Sequence, residues 1–93
     1  MNNKKRVKLL ISGRVQGVGF RASTRSRARK LGLKGWVRNL RNGKVKAVAE
    51  GEKEDLEKFI EWAKEGPFTA KVTDMEVNFE EYKGDFNNFS IEY

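Results

Sequence analysis

The chain has 93 residues, 38% of them hydrophobic and 35% charged, enough for one small core. It contains neither cysteine nor histidine, which excludes disulfides, thiolate metal sites, cysteine nucleophiles and the commonest general base and metal ligand. Net charge is +7, with 15 Lys/Arg against Glu50 alone in residues 1–50 and 5 Lys/Arg against 12 Asp/Glu in residues 51–93. A first half this basic attracts anions, small phosphorylated molecules and nucleic acid alike.

Met1 to Lys5 is a polar, charged arm expected to fray. Val7, Leu9 and Ile11 alternate with Lys8, Leu10 and Ser12, which predicts a strand with one apolar face. A glycine-punctuated loop follows from Gly13. Arg21 to Leu31 reads as a helix, with Phe20, Thr24, Ala28 and Leu31 as its buried stripe and Gly32 as its stop. Lys34 to Leu40 is a second strand, and Asn42-Gly43 predicts a two-residue hairpin turn. Val45, Ala47 and Ala49 then alternate with Lys46, Val48 and Glu50 in a third strand, ended by Gly51.

Leu56, Phe59, Ile60 and Ala63 give a second amphipathic helix, with Glu52, Glu54 and Asp55 in its first turn and Gly66-Pro67 at its end. Val72 to Tyr82 reads as a fourth strand, with Met75, Val77 and Phe79 on one face. Phe89, Ile91 and Tyr93 alternate as a short last strand. The order predicts an α+β fold, a ferredoxin-like βαββαβ sandwich with an antiparallel sheet, two helices on one face and a short extra C-terminal strand. Residues 1–93 are read as a single domain. No run approaches the ~18–20 apolar residues of a membrane span, and Leu9-Leu10-Ile11 is too short for a signal segment. The expected location is the cytoplasm.

The loop Gly13-Arg14-Val15-Gln16-Gly17-Val18-Gly19-Phe20-Arg21 stands between a strand and a helix. Gly17 and Gly19 can take positive φ without a Cβ penalty, so successive N–H groups can curl into a concave anion nest. The helix adds its unsatisfied N-terminal N–H groups. Arg21 sits at the wrong end of the helix dipole, and Arg25 and Arg29 repeat the charge at four-residue spacing. A bound anion would turn both penalties into attraction. A solvated basic helix face after a tight loop would give the same pattern.

That loop, with Thr24 beyond it, resembles the first signature of the acylphosphatase family. Gly35-Trp36-Val37-Arg38-Asn39, followed by a turn and Gly43, resembles the second. Leu31-Gly32-Leu33, Gly66-Pro67 and Phe89-Ser90-Ile91 are similar to other parts of the family, so the likeness covers nearly the whole chain in order. It implies the same ferredoxin-like fold and a small, free-standing enzyme. The implied activity is metal-independent hydrolysis of acyl phosphates, with no cofactor.

Residue by residue, the resemblance implies that the amides of Gln16, Gly17, Val18, Gly19, Phe20 and Arg21 hold phosphate. Arg21 is implied to grip two phosphoryl oxygens, and Asn39 to orient the attacking water. Thr24 matches a threonine that supports water or product. Alone on its buried stripe, Thr24 has another use: a bond to the carbonyl four residues back. Asn39 has one too, as a strand end with its amide in water. The expected partner is a small acyl phosphate bound by a monomer, with no membrane partner. Ala22-Ser23 replaces a bulkier pair common in the family, which leaves the acyl preference open. The competing expectation is a nucleic-acid-binding ferredoxin-like module, against which the third strand, Lys44 to Glu50, offers no aromatic to stack a base. A domain serving a larger carbamoyl-phosphate machine is the other alternative.

Overall fold

A computed structural model describes residues 3–93; Met1 and Asn2 lie outside the described residues. Its elements are β1 (Lys4–Arg14), α1 (Phe20–Lys30), β2 (Lys34–Asn39), β3 (Val45–Glu52), α2 (Lys53–Glu65), β4 (Lys71–Glu81) and β5 (Phe89–Ile91). One five-stranded sheet runs in the order β4-β1-β3-β2-β5. Only the β2–β5 pair is parallel. The expected ferredoxin-like sandwich is therefore present, short last strand included.

Period-two alternation puts Val7, Leu9 and Ile11 of β1 on the same face as Val45, Ala47 and Ala49 of β3. That face is buried against Phe20 and Ala28 of α1, against Leu56, Phe59, Ile60 and Ala63 of α2, and against Phe89 of β5. Three contacts among four aromatic rings fasten the layers: Phe59 meets Phe89 at 6.0 Å, and Trp62 meets Phe20 at 5.8 Å and Phe59 at 6.4 Å between centroids. Trp62 is thus a packing residue.

Several boundaries differ from expectation. Lys4 and Lys5 belong to β1 rather than to a frayed arm, because they pair with Glu52 and Gly51 of β3 and Lys5 also pairs with Glu81 of β4. Gly51 does not end β3 for the same reason. The β2–β3 turn has three residues, not two. Leu40 N–H donates to the Lys44 carbonyl at 2.8 Å, and Gly43 N–H donates to the Leu40 carbonyl at 3.2 Å. Only Gly43 carries positive φ there (90°), so Asn42 never adopts the left-handed form that a two-residue type I′ turn demands. The Asn42 side chain instead accepts from Lys44 N–H at 3.1 Å.

Glu50 is the largest surprise of burial. It stands on the sheet face away from the helices, yet it is only 3% exposed. The segment between β4 and β5 folds over it. Lys83 and Gly84 donate backbone N–H groups to its two oxygens at 2.8 and 3.1 Å, and Arg6 donates through Nε at 2.9 Å. Arg6 reaches on to Asp85 at 3.0 Å and lies 4.8 Å from the Phe86 ring centroid. Burial works to lower the Arg6 pKa, but the bonds and charges of Glu50 and Asp85 outweigh it and hold the guanidinium above its ordinary value.

Removing one partner of such a pair leaves an uncompensated buried charge. Glu50→Ala is expected to cost about 3 kcal/mol or more of stability in urea unfolding. The exposed Lys64–Glu61 pair, at 2.8 Å, makes the control. There Lys64→Ala is expected to stay within about 1 kcal/mol of wild type.

Candidate active site

The turn from β1 into α1 is built by two glycines. Gly17 and Gly19 hold φ of 73° and 75°, and Gly19 is the N-cap of α1. Side chains with a Cβ rarely adopt such angles. The first intrahelical bond here runs from Ser23 N–H to the Gly19 carbonyl at 3.1 Å. The N–H groups of Phe20, Arg21 and Ala22 precede it and have no acceptor within the helix. No side chain caps this end, and no acidic residue stands in its first turn. The positive end of the α1 dipole therefore faces the loop without a protein counter-charge.

Two side-chain bonds brace the loop. Gln16 Nε2 donates to the carbonyls of Leu40 and Lys44 at 2.8 and 2.9 Å. Thr69, beyond α2, donates its hydroxyl to the Val18 carbonyl at 2.6 Å. Neither brace was legible locally, since the partners lie 24, 28 and 51 residues away.

Gly17, Gly19, Arg21 and Asn39 line one cleft of about 250 Å³. Its remaining wall includes Ala22, Ile91 and Tyr93. Arg21 comes from the first turn of α1 and Asn39 from the last position of β2. The Arg21 guanidinium lies 5.3 Å from the centroid of the exposed Tyr93 ring. The Asn39 carbonyl oxygen Oδ1 is buried and finds no hydrogen-bond donor among the described residues. An amide oxygen freely solvated at a strand end is therefore not what the structure shows. An acceptor left in this state costs about 1–3 kcal/mol.

Gln16, Val18 and Phe20 do not line the cleft with Gly17 and Gly19. Their other atoms have structural work: the Gln16 amide and the Val18 carbonyl in the two braces, the Phe20 ring in the core. Thr24 is buried outside the cleft, and its hydroxyl donates to the Phe20 carbonyl at 2.8 Å. Arg29 donates through Nε to the Phe89 carbonyl at 3.2 Å, which ties α1 to β5. Ile91 and Tyr93 also line the cleft, which neither motif marks; the last strand ends at Ile91, short of the expected Tyr93, which is exposed where Phe89 is buried.

This arrangement gathers Arg21, Asn39 and two glycines of an uncapped helix start around one small cleft. It suits a tetrahedral oxyanion on the cationic side and a hydrogen-bond donor beside Asn39. Among the described residues no three acidic side chains come together as a metal cage would require. Fold and cleft together define an α+β sandwich with a small cleft at the strand-to-helix turn, lined by a cation and by no acidic side chain.

The family model for acylphosphatase matches residues 7–91. An acylphosphatase of Pyrobaculum calidifontis is 55% identical over 87 residues, covering 92% of this chain and 79% of that one. The crystal structure of acylphosphatase from Bacillus subtilis superposes with a TM-score of 0.92 at 39% identity, covering 96% and 99% of the two chains. A structure of full-length HypF in a phosphate- and nucleotide-bound form also matches, with a TM-score of 0.87 and 30% identity, over all of this chain but 12% of HypF. The chain belongs to the acylphosphatase family.

Neither Arg21 nor Asn39 earns its place by stability. Arg21→Ala and Asn39→Ala are both expected to unfold within about 1 kcal/mol of wild type, since one removes a misplaced cation and the other an unpaired acceptor. Inorganic phosphate should raise the urea midpoint of wild type by ligand linkage. It should not raise that of the Arg21 variant. A phosphate-induced shift of wild-type size in Arg21→Ala would remove the guanidinium from the anion site.

Proposed function

We propose that this chain hydrolyses acyl phosphates to a carboxylate and inorganic phosphate, without a metal or other cofactor. The observation that carries the reaction is the meeting of Arg21 and Asn39 in one cleft lined by Gly17 and Gly19, the Asn39 carbonyl having no donor among the described residues. Membership of the acylphosphatase family supports the same activity.

The amides from Gln16 to Arg21 hold the phosphoryl group, and the Arg21 fork binds two of its oxygens. The Asn39 carbonyl accepts a hydrogen bond from water and aims its oxygen at phosphorus. Water oxygen bonds to phosphorus as the bond to the acyl oxygen breaks. The carboxylate departs with that electron pair, and the water proton passes to a phosphate oxygen. An amide is too weak a base to keep the proton, so Asn39 orients and does not abstract. A carboxylate is a good leaving group and needs no strong general acid. A chain without histidine or cysteine is therefore chemically sufficient. The transition state spreads charge over the equatorial oxygens, so positioning and electrostatics supply most of the acceleration.

Thr24 supports the site through the Phe20 carbonyl at the start of α1. Residues 1–93 act as one domain, a monomer in the cytoplasm. No described helix is long and apolar enough to cross a membrane. The nucleic-acid reading is set below this one because the third strand offers no aromatic to stack a base. On the open face of the sheet, Trp36 is flanked by Arg38 at 5.2 Å and Lys46 at 5.9 Å, and its ring is only partly exposed.

Phosphate release from benzoyl phosphate in EDTA tests this. Wild type is expected to turn over. Arg21→Ala is expected to lose about 10³-fold in kcat/KM, with both binding and rate affected. Asn39→Ala is expected to lose about 10²-fold or more in kcat at nearly unchanged KM. Folded but inactive wild type would overturn the activity. Full activity in Asn39→Ala would leave the reaction standing and remove the water-orienting role.

A further inference from the structure

Gln16 spends both hydrogens of its side-chain amide on one structure, the mouth of the β2–β3 hairpin. Nε2 donates to the Leu40 carbonyl at 2.8 Å and to the Lys44 carbonyl at 2.9 Å. Those same carbonyls already accept from Gly43 N–H and Leu40 N–H, the two bonds that close the turn. Leu40 directly follows Asn39. The side chain therefore ties the glycine loop to the hairpin one residue beyond the orphaned carbonyl.

Sheet order explains why such a tie is needed. β1 and β2 are not neighbours, because β3 lies between them. Val45, the first residue of β3, is paired with Ile11 on one side and with Asn39 on the other. Ladder hydrogen bonds therefore fix Asn39 relative to β3. They do not fix the loop beyond Arg14, where β1 has ended. The Gln16 amide spans that gap. Its chemistry is narrowly specified, because two carbonyls facing one head group demand two donors. A carboxylate there would offer only acceptors, and a thioether of similar length would offer no donor.

We propose that Gln16 is a positioning residue, and that its side chain sets the distance between the phosphoryl group in the loop and the Asn39 carbonyl. This rests on the roles proposed above for the loop and Asn39. Gln16 does not touch the reacting atoms with its side chain. It acts through Asn39, by fixing where the loop stands relative to the end of β2. Loss of the tie leaves the loop amides and Arg21 able to bind phosphate, and loosens only the approach of water to phosphorus. Displacements of about 1 Å at a reacting centre cost on the order of 10²-fold in rate.

The test is a double-mutant cycle on benzoyl phosphate hydrolysis with Gln16→Met and Asn39→Ala. Gln16→Met is expected to lower kcat about 10-fold or more, with KM and inhibition by inorganic phosphate within about two-fold of wild type. In the Asn39→Ala background the same substitution is expected to change kcat less than about two-fold, because the group it positions is gone. Equal kcat losses in both backgrounds would overturn the proposal. So would a raised KM at unchanged kcat, which would make the side chain a shaper of the phosphate nest alone. An unchanged kcat in Asn39→Ala alone would instead sink the proposed role of Asn39, and is read from a different arm.

Gln16→Glu gives a second readout that a merely structural role would not move. Ionised, it faces two carbonyls with no donor; protonated, it regains one. Its kcat relative to wild type is expected to rise as pH falls toward and below the carboxyl pKa of about 4.3 or higher. A pH-independent ratio would overturn the tie even if the Met variant folded poorly.

Discussion

The site depends on one geometric constraint: the Gly13–Arg21 loop and the Asn39 strand are separated by β3. Backbone pairing runs from β1 to β3 and from β3 to β2, but it stops at Ile11–Val45 and Val45–Asn39. On its other side β1 stays paired with β4 as far as Arg14–Lys71, and beyond that the loop must be held by something other than the ladder. Two side chains from unrelated places hold it, Gln16 toward the hairpin and Thr69 toward the far side of the loop. Because the Val18 carbonyl is engaged by Thr69, that peptide is fixed with its oxygen outside the nest. The loop is over-determined in the way that left-handed glycines need if they are to hold one conformation rather than sample several.

Electrostatics and stability pull in opposite directions at this place. A helix start ordinarily carries a capping side chain or an acidic residue; α1 has neither and carries Arg21 instead. A buried carbonyl ordinarily finds a donor; Asn39 Oδ1 has none. Both departures occur in the same cleft and on different elements, which chance placement of polar residues does not readily produce. Stability is recovered elsewhere, in the buried core and its aromatic contacts. Those aromatic contacts sit away from the cleft, so the chemistry carries its local cost without unfolding the frame.

Most of the fold was legible because its signals are local and periodic. Leu56, Phe59, Ile60 and Ala63 announce α2, and the same four are its buried residues. Arg21 and Asn39 were legible from their two motifs, each read within a few residues. What escaped was set by tertiary crossing. Glu50 alternates as a solvent-facing residue should, and only the passage of Lys83 and Gly84 over it makes it buried. Asn42-Gly43 suits either of two turns, and the Leu40–Lys44 closing bond decides for the three-residue form. Lys4 and Lys5 look like a tail by charge, but two neighbouring strands extend far enough to pair with them. Gln16 was noticed for its backbone amide alone, since no short-range pattern reports that its side chain meets residues 24 and 28 positions away.

A chain lacking histidine and cysteine narrows what catalysis here can be. Acyl phosphates bring their own leaving group, so the protein has no difficult proton transfer to supply. What remains is to hold a phosphoryl group and a water molecule in line, and that is a matter of distances. Distances are properties of bracing rather than of the groups that touch the substrate. In this fold the guanidinium rides on α1 and the amide on β2, two elements held by different partners. On the proposed roles of Arg21 and Asn39, the side chains that connect them matter to rate as much as those two do. Removing a brace should act on rate before it acts on binding, because a loosened loop still presents the same charges to the anion.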